Sequence, residues 1–370
     1  MSNKIKVGIL FGGKSAEHEV SLQSAKNILE AIDRDKYDIL LLGIDKQGQW
    51  HMGNESEFVL HKDNPRLIAL NKSNDHLALI PGQARENLVD LKKKESIHQI
   101  DVVFPVLHGP FGEDGTVQGL FKLAGIPFVG AGVLGSAVGM DKDVMKRLLR
   151  DADITIADFI AVQSHERTTI SYHEIRKRFG APFFAKPANL GSSVGVHKVH
   201  NENEFMPALD DAFRFDTKII IEEFVDGREI ECAVLGNEDP RASVPGEILP
   251  SHEFYSYEAK YIDEQGAVLE IPAKVPENAS SKIRDISIKA FKTLCCEGMA
   301  RVDCFLKKDG SVVVNEINTI PGFTSISMYT KLWEASGIPY GELIDQLIQL
   351  ALARHEKEKG LQSHYSQDVP

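Results

Sequence analysis

The sequence predicts a mixed α/β and α+β protein: an N-terminal parallel-sheet domain, then two lobes of antiparallel strands and helices. Three observations carry this. The chain has 370 residues, enough for two or three domains with separate cores. It opens as an apolar strand, a glycine turn, a helix and a second apolar strand, a βαβ unit that implies a parallel sheet. Its second half is mostly short β-rich runs and helices, and one pair of runs is joined by Lys307-Lys308-Asp309-Gly310. Asp-Gly between such runs is a strong hairpin signal.

The elements follow in order. Ile5–Phe11 reads as a buried strand, Ser21–Ile32 as a helix with Ser21 its candidate N-cap, and Tyr37–Ile44 as the second strand. Residues 46–100 are polar with scattered apolar pairs and read as hairpin and loop pieces. Val102–Leu107 is a strand that exits through the glycine-rich turn His108–Gly115 into the helix Thr116–Ala124. Pro127–Gly130 reads as a short strand and Asp141–Asp151 as a helix. Phe183–Pro187, Ile219–Phe224, Glu229–Leu235 and Ala242–Leu249 read as strands, with a helix at Glu202–Arg214. The hairpin strands are Val302–Leu306 and Ser311–Ile317. No internal repeat is evident, and the expected domains are 1–138, 139–221 and 222–370.

Composition narrows the function. The net charge is −12, which argues against nucleic acid, whose phosphates need a broad basic surface. No apolar run is long enough to span a membrane, and the first residues lack the apolar stretch of a signal peptide. The four cysteines form no CxxC and have no histidine cluster beside them. A zinc site is therefore not indicated, and so few cysteines fit a reducing cytosol. Cys295-Cys296 has no assignable role.

Several stretches carry chemistry. Gly8–Ser15 satisfies GxxxxGK[ST]. However, Gly8 falls inside the strand and Ile9, Leu10 and Phe11 are its core residues, so too short a loop is left to wrap phosphates. The match reads as chance. Glu17 follows at the C-terminal edge of a parallel sheet, where ligands bind, whereas Glu19 suits the first helical turn. The run Ala185–Val196 delivers Lys186 into a loop of glycines and serines, whose amides, hydroxyls and ammonium suit phosphate. The strand ending in Glu222-Glu223 reads either as a strand reaching solvent or as a hinge that binds adenine and ribose. In the hairpin, alternation puts Glu316 and Asn318 on one face, with Asp303 opposite. That oxygen set suits a hard cation such as Mg²⁺; the other reading is a solvated hairpin face.

Taken together these pieces resemble the ATP-grasp superfamily, and within it the D-alanine–D-alanine ligase family. The quoted matches, in the family's order, are Gly12–Ser21, Leu107-His108-Gly109, Gly112–Gly115, Met140-Asp141-Lys142, Lys186–Val196, Tyr257–Tyr261 and Asn318–Thr324. The resemblance implies a two-lobed ATP-grasp fold behind the N-terminal domain. It implies that ATP and two D-alanine molecules give D-alanyl-D-alanine, ADP and phosphate through an acyl phosphate. ATP would contact Lys142, Lys186, Glu222, Val225, Glu229 and Lys260. Two Mg²⁺ (or Mn²⁺) would bind Asp303, Glu316 and Asn318. Glu17 would hold the first D-alanine's ammonium, beside His108. Arg301 and the Gly322 amide would form an oxyanion hole, and Ser327 and Met328 would hold the second carboxylate. Ser251–Gly266 would be a lid, with Tyr261, Ser192 and Glu17 a latch. Tyr at 261 argues for an amine acceptor over D-lactate. The resemblance further implies a cytoplasmic homodimer that supplies a cell-wall precursor. Three rival readings make different demands: another ATP-grasp carboxylate–amine ligase would act on different substrates, against which Glu17, Tyr261 and Ser327 argue; a P-loop NTPase would depend on Lys14; and a nucleotide sensor would show no D-alanine-dependent turnover.

Overall fold

The computed structural model describes residues 4–61, 64, 67–73, 75, 77–82, 87–93, 95–250 and 267–362. The opening βαβ unit is present. Strand Ile5–Gly12 lies between Tyr37–Ile44 and Val102–Val106, parallel to both, and Trp50–Gly53 adds an antiparallel edge. The reason for the unbroken apolar run is plain in the packing. Val7, Ile9 and Phe11 enter one core while Leu10 enters another on the opposite face. A strand covered on both sides has no polar face to alternate with.

The opening helix spans His18–Ala31, so it begins before Ser21 and Ser21 is not its N-cap. Instead the Ser21 hydroxyl accepts from Gly12 N at 2.7 Å and donates to the Val106 carbonyl. It ties together the ends of two strands, a tertiary role that overrides the local capping preference. Pro127–Gly130 is not a strand but a single parallel bridge, Val103 to Phe128. Ala242–Leu249 is split into Arg241–Ala242 and Gly246–Pro250, because Pro245 lacks the N–H that a continuous ladder needs. Among the described residues of 46–100, Trp50–Gly53 joins the N-terminal sheet and the remaining strands form two small antiparallel sheets, as the hairpin reading expects.

A second sheet, ordered Phe159–Gln163, Lys218–Glu223, Phe183–Pro187 and His197–Val199, is antiparallel throughout. The third is ordered Ala267–Glu270, Gly246–Pro250, Arg228–Gly236, Gly298–Leu306 and Val312–Asn318. Its last two strands are the Asp-Gly hairpin, with Asp303 opposite Glu316 and Cys304 opposite Val314. The skipped residue, Asn315, is a bulge. Two helices, Met328–Ala335 and Tyr340–Lys359, close the chain over the N-terminal sheet. Among the described residues no helix is long and apolar enough to cross a membrane.

Candidate active site

The N-terminal wall is built by backbone that only glycine adopts easily. Gly12 has φ +90°, and a Cβ there would lie 2.2 Å from the Ile44 carbonyl. The turn it starts delivers Glu17, which is buried at the mouth of the opening helix. Gly109, at φ +73°, lets the chain pass so close that a Cβ would meet Glu17 Oε2 at 2.9 Å. From the central sheet, the Ser192 hydroxyl hydrogen-bonds the other Glu17 oxygen. Ser192 and Ser193 both sit in left-handed backbone, φ 54° and 59°, a conformation costly for residues with a Cβ and concentrated at functional sites. The expected Glu17–Ser192 contact is therefore made.

His108 is buried beside this wall. Its Nδ1 lies 3.0 Å from the Ile320 carbonyl and its Nε2 3.5 Å from the Ser24 hydroxyl. Burial lowers its pKa, and Arg301 adds to the effect against the opposing charge of Glu17. Glu113, part of a sequence motif but without an assigned role, is half-buried beside it. It accepts from Gly109 N at 2.6 Å and Ile320 N at 3.2 Å. Burial, and then the charge of Glu17, push its carboxyl up to about 8.

The hairpin presents Arg301, Asp303, Glu316 and Asn318 on one sheet face, since directly paired residues and alternate residues share a face. Arg301 grips Asp303 with two hydrogen bonds of 2.7 Å, and Asn318 Nδ2 donates to Asp303 Oδ2 at 2.9 Å. Arg301 also pairs with the buried Glu231 at 2.9 Å, a residue that sequence reasoning passed over. Strand alternation from Glu229 was the available signal. Among the described residues no set of three His, Cys, Asp or Glu side chains is arranged to hold a metal. Asp303, Glu316 and Asn318 supply two carboxylates and an amide, a hard donor set that fits Mg²⁺ chemically.

Between the second and third sheets lies a cavity of about 450 Å³. Lys142, Lys186, Ser192, Glu222, Val225, Glu229 and Glu316 all line it, so the structure brings most of the expected nucleotide residues together. Asp141 caps the helix Lys142–Asp151 and its carboxylate pairs with Lys218 at 2.6 Å, which fixes the position of Lys142. Lys142 reaches Glu316 at 3.3 Å. Lys186 pairs with Glu222, whose second oxygen is 3.0 Å from the wholly buried Lys146. Burial alone would raise the Glu222 pKa, but the two lysines hold it down to about 2. Apolar and aromatic lining from Ala157, Phe184 and Phe305 gives the cavity a surface suited to a flat base. Ser327 lies against Gly322, where a Cβ would meet its hydroxyl at 2.8 Å, and it bonds to Thr324 rather than capping the helix that Met328 begins. Lys260, Tyr261 and the whole of Ser251–Gly266, expected as a lid, lie outside the described residues. Lys14 points over the Phe111 ring at 5.6 Å, away from this cavity, and residues 8–12 are strand. The P-loop match is therefore chance.

Two family models match the chain: D-ala D-ala ligase N-terminus over residues 6–131 and D-ala D-ala ligase C-terminus over 148–349. The chain belongs to the D-alanine–D-alanine ligase family. It is 58% identical over 363 residues to the D-alanine–D-alanine ligase of Oceanobacillus iheyensis, covering 98% of this chain and 99% of that one. It is 54% identical to D-alanine–D-alanine ligase A of Escherichia coli K12, covering 97% and 99%. Among solved structures, the ligase from Coxiella burnetii matches with TM-score 0.84 and 39% identity, covering 97% of each chain. The VanG D-Ala:D-Ser ligase from Enterococcus faecalis matches with TM-score 0.83 and 35% identity, covering 94% of this chain and 100% of that one. For this member of the ligase family, the ATP-grasp fold expected from sequence is borne out.

Proposed function

We infer that the protein joins two D-alanines into D-alanyl-D-alanine with ATP, through a D-alanyl phosphate, for peptidoglycan precursor synthesis. The observation that supports this best is the Lys142–Glu316 pair. It links the cavity to the hairpin face that carries Arg301, which supports a reading in which ATP phosphates and an acyl oxyanion would be neighbours.

A carboxylate acylates poorly, so the first D-alanine must be activated. Phosphoryl transfer needs positioning and charge neutralisation more than covalent help. Lys142 and Lys186 are assigned to the ATP phosphates, Glu222, Val225 and Glu229 to adenine and ribose, and Lys260 to the transferring phosphate. Asp303, Glu316 and Asn318 are assigned to two Mg²⁺ (or Mn²⁺), which when bound neutralise charge on the phosphates. Both Asp303 oxygens accept from Arg301, so a cation held by Asp303 would share that carboxylate with the guanidinium, which also pairs with Glu231. Glu17 is assigned to the ammonium of the first D-alanine, with Ser192 and Tyr261 assigned to a latch with it and His108 to the same pocket. Arg301 and the Gly322 amide receive the oxyanion, at ~3 kcal/mol per donor. Ser327 and Met328 bind the second carboxylate. We place the working domains at 1–138, 139–221 and 222–370, and the enzyme as a cytoplasmic homodimer.

The test is phosphate release from Mg·ATP with D-alanine, L-alanine, or D-alanine plus D-lactate or D-serine, on wild type and Glu316→Ala. D-alanine-dependent release with dipeptide as product, lost in the variant, is expected. Depsipeptide as main product would overturn the use of Tyr261, and release indifferent to D-alanine would overturn the substrate assignment.

A further inference from the structure

One charged group behind the nucleotide cavity has no part in the roles above. Lys146 lies one turn beyond Lys142 on the same helix, and its side chain is completely buried. Its Nζ is 3.0 Å from Glu222 Oε2 and 6.0 Å from the centre of the Phe159 ring. Glu222 holds Lys186 with its other oxygen. Glu222 and Lys186 line the cavity, and Lys146 does not. An ammonium this deep carries a large desolvation cost, whereas an apolar side chain of the same length would fill the space without it. Packing alone therefore does not explain a lysine here.

We propose that Lys146 is a positioning residue for the nucleotide. As the buried partner of Glu222, 3.0 Å from its Oε2, it fixes that carboxylate as an acceptor for the purine edge and frees Lys186 for the phosphates. The inference rests on the assignment of Glu222 and Lys186 to the nucleotide.

Consider the site without Lys146. Among the described residues Lys186 would then be the only cation paired with Glu222. Drawing Lys186 to a phosphate would isolate a buried carboxylate, a strongly unfavourable change. With Lys146 present, Glu222 keeps one ion pair throughout, and Lys186 exchanges partners freely. The same pairing sets the hydrogen-bonding sense of Glu222. An ionised carboxylate only accepts, and with a lysine at each oxygen it has lone pairs to spare. Adenine offers an amino donor where guanine offers a carbonyl acceptor. A fixed, anionic Glu222 thus attracts adenine and repels guanine.

The experiment compares Lys146→Met, Glu222→Gln and the double variant in D-alanine-dependent turnover with ATP and with GTP. Lys146→Met is expected to raise the KM for ATP about tenfold, leave the KM for D-alanine unchanged, and lower the ATP-to-GTP ratio of kcat/KM about tenfold. The double variant is expected to match Glu222→Gln, because Lys146 acts through that carboxylate. Should Lys146→Met not fold, the double variant removes both buried charges together, and its match to Glu222→Gln carries the test. A lower kcat or Tm with KM for ATP and nucleotide ratio unchanged would reduce Lys146 to packing and overturn the proposal. Effects that multiply in the double variant would overturn it too. If Glu222→Gln itself leaves ATP affinity and selectivity untouched, the nucleotide assignment falls and takes this inference with it.

Discussion

At the scale of single residues, the site's character lies in two N-terminal carboxylates, Glu17 buried and Glu113 half-buried. Glu17 has a hydroxyl and a glycine niche to hold it and is assigned to an ammonium. Glu17→Gln keeps the shape and removes the charge. Loss of a buried ionic partner predicts a fall of roughly 100-fold in kcat/KM for D-alanine, with the KM for ATP little changed. An equal rise in both KM values would count against the assignment. Glu113 makes a different prediction. Burial and the Glu17 charge push it up to about 8 from the ordinary 4.5. Between those two values the native state holds a proton that the unfolded chain has released, so stability falls as pH rises through that window. Thermal unfolding from pH 5 to 8.5 is expected to show that decline, and Glu113→Gln to flatten it. A variant with the same slope as wild type would remove Glu113 as its source.

At the scale of elements, the helix Lys142–Asp151 carries Lys142 and the buried Lys146, and its start is set by one side chain. Asp141 Oδ1 accepts from the amides of Asp143 and Val144, both at 3.1 Å, and the carboxylate binds Lys218. Asp141→Ala should cost about 1 kcal/mol as a lost cap. Because Lys142 is the next residue, the KM for ATP should rise several-fold as well. A stability loss without any change in ATP kinetics would separate the cap from the site. What sequence shows and hides is clearest among such elements. Strands such as Tyr37–Ile44 and Phe183–Pro187 are legible to the residue, because β-rich apolar residues dominate them and turn or helix signals flank them. The hairpin is legible from Asp309-Gly310, but the bulge at Asn315 is not, since no local preference marks an unpaired residue. Ser21 misleads because its hydroxyl serves strands distant in sequence. Lys146 and Glu231 stay silent for a related reason: a charged residue in a helix or strand usually faces water, and only the packed structure shows these two buried.

At the scale of the whole molecule, one hydrophobic core joins the two ends of the chain. Val7, Phe104 and Val106 of the parallel sheet pack in the same cluster as Phe323, Tyr329, Trp333 and Leu343. Phe323 is its hub: its ring centre is 5.6 Å from that of Phe104 and 5.7 Å from that of Tyr329, and its amide donates to Ser24 Oγ at 3.2 Å. The segment it anchors includes Ile320, bonded to both His108 and Glu113, and Gly322, assigned to the oxyanion. Groups assigned to the substrates, from opposite ends of the chain, are thus held in register by a contact outside the assigned site. The nucleotide cavity lies between the other two sheets and does not include this segment. Phe323→Ala should therefore cost ~3–5 kcal/mol in stability. In the fraction that stays folded, it should raise the KM for D-alanine and lower kcat while ATP binding, read by calorimetry, stays near wild type. ATP affinity falling in step with D-alanine kinetics would mean that the core supports both sites alike, and that the amino-acid site has no separate anchor.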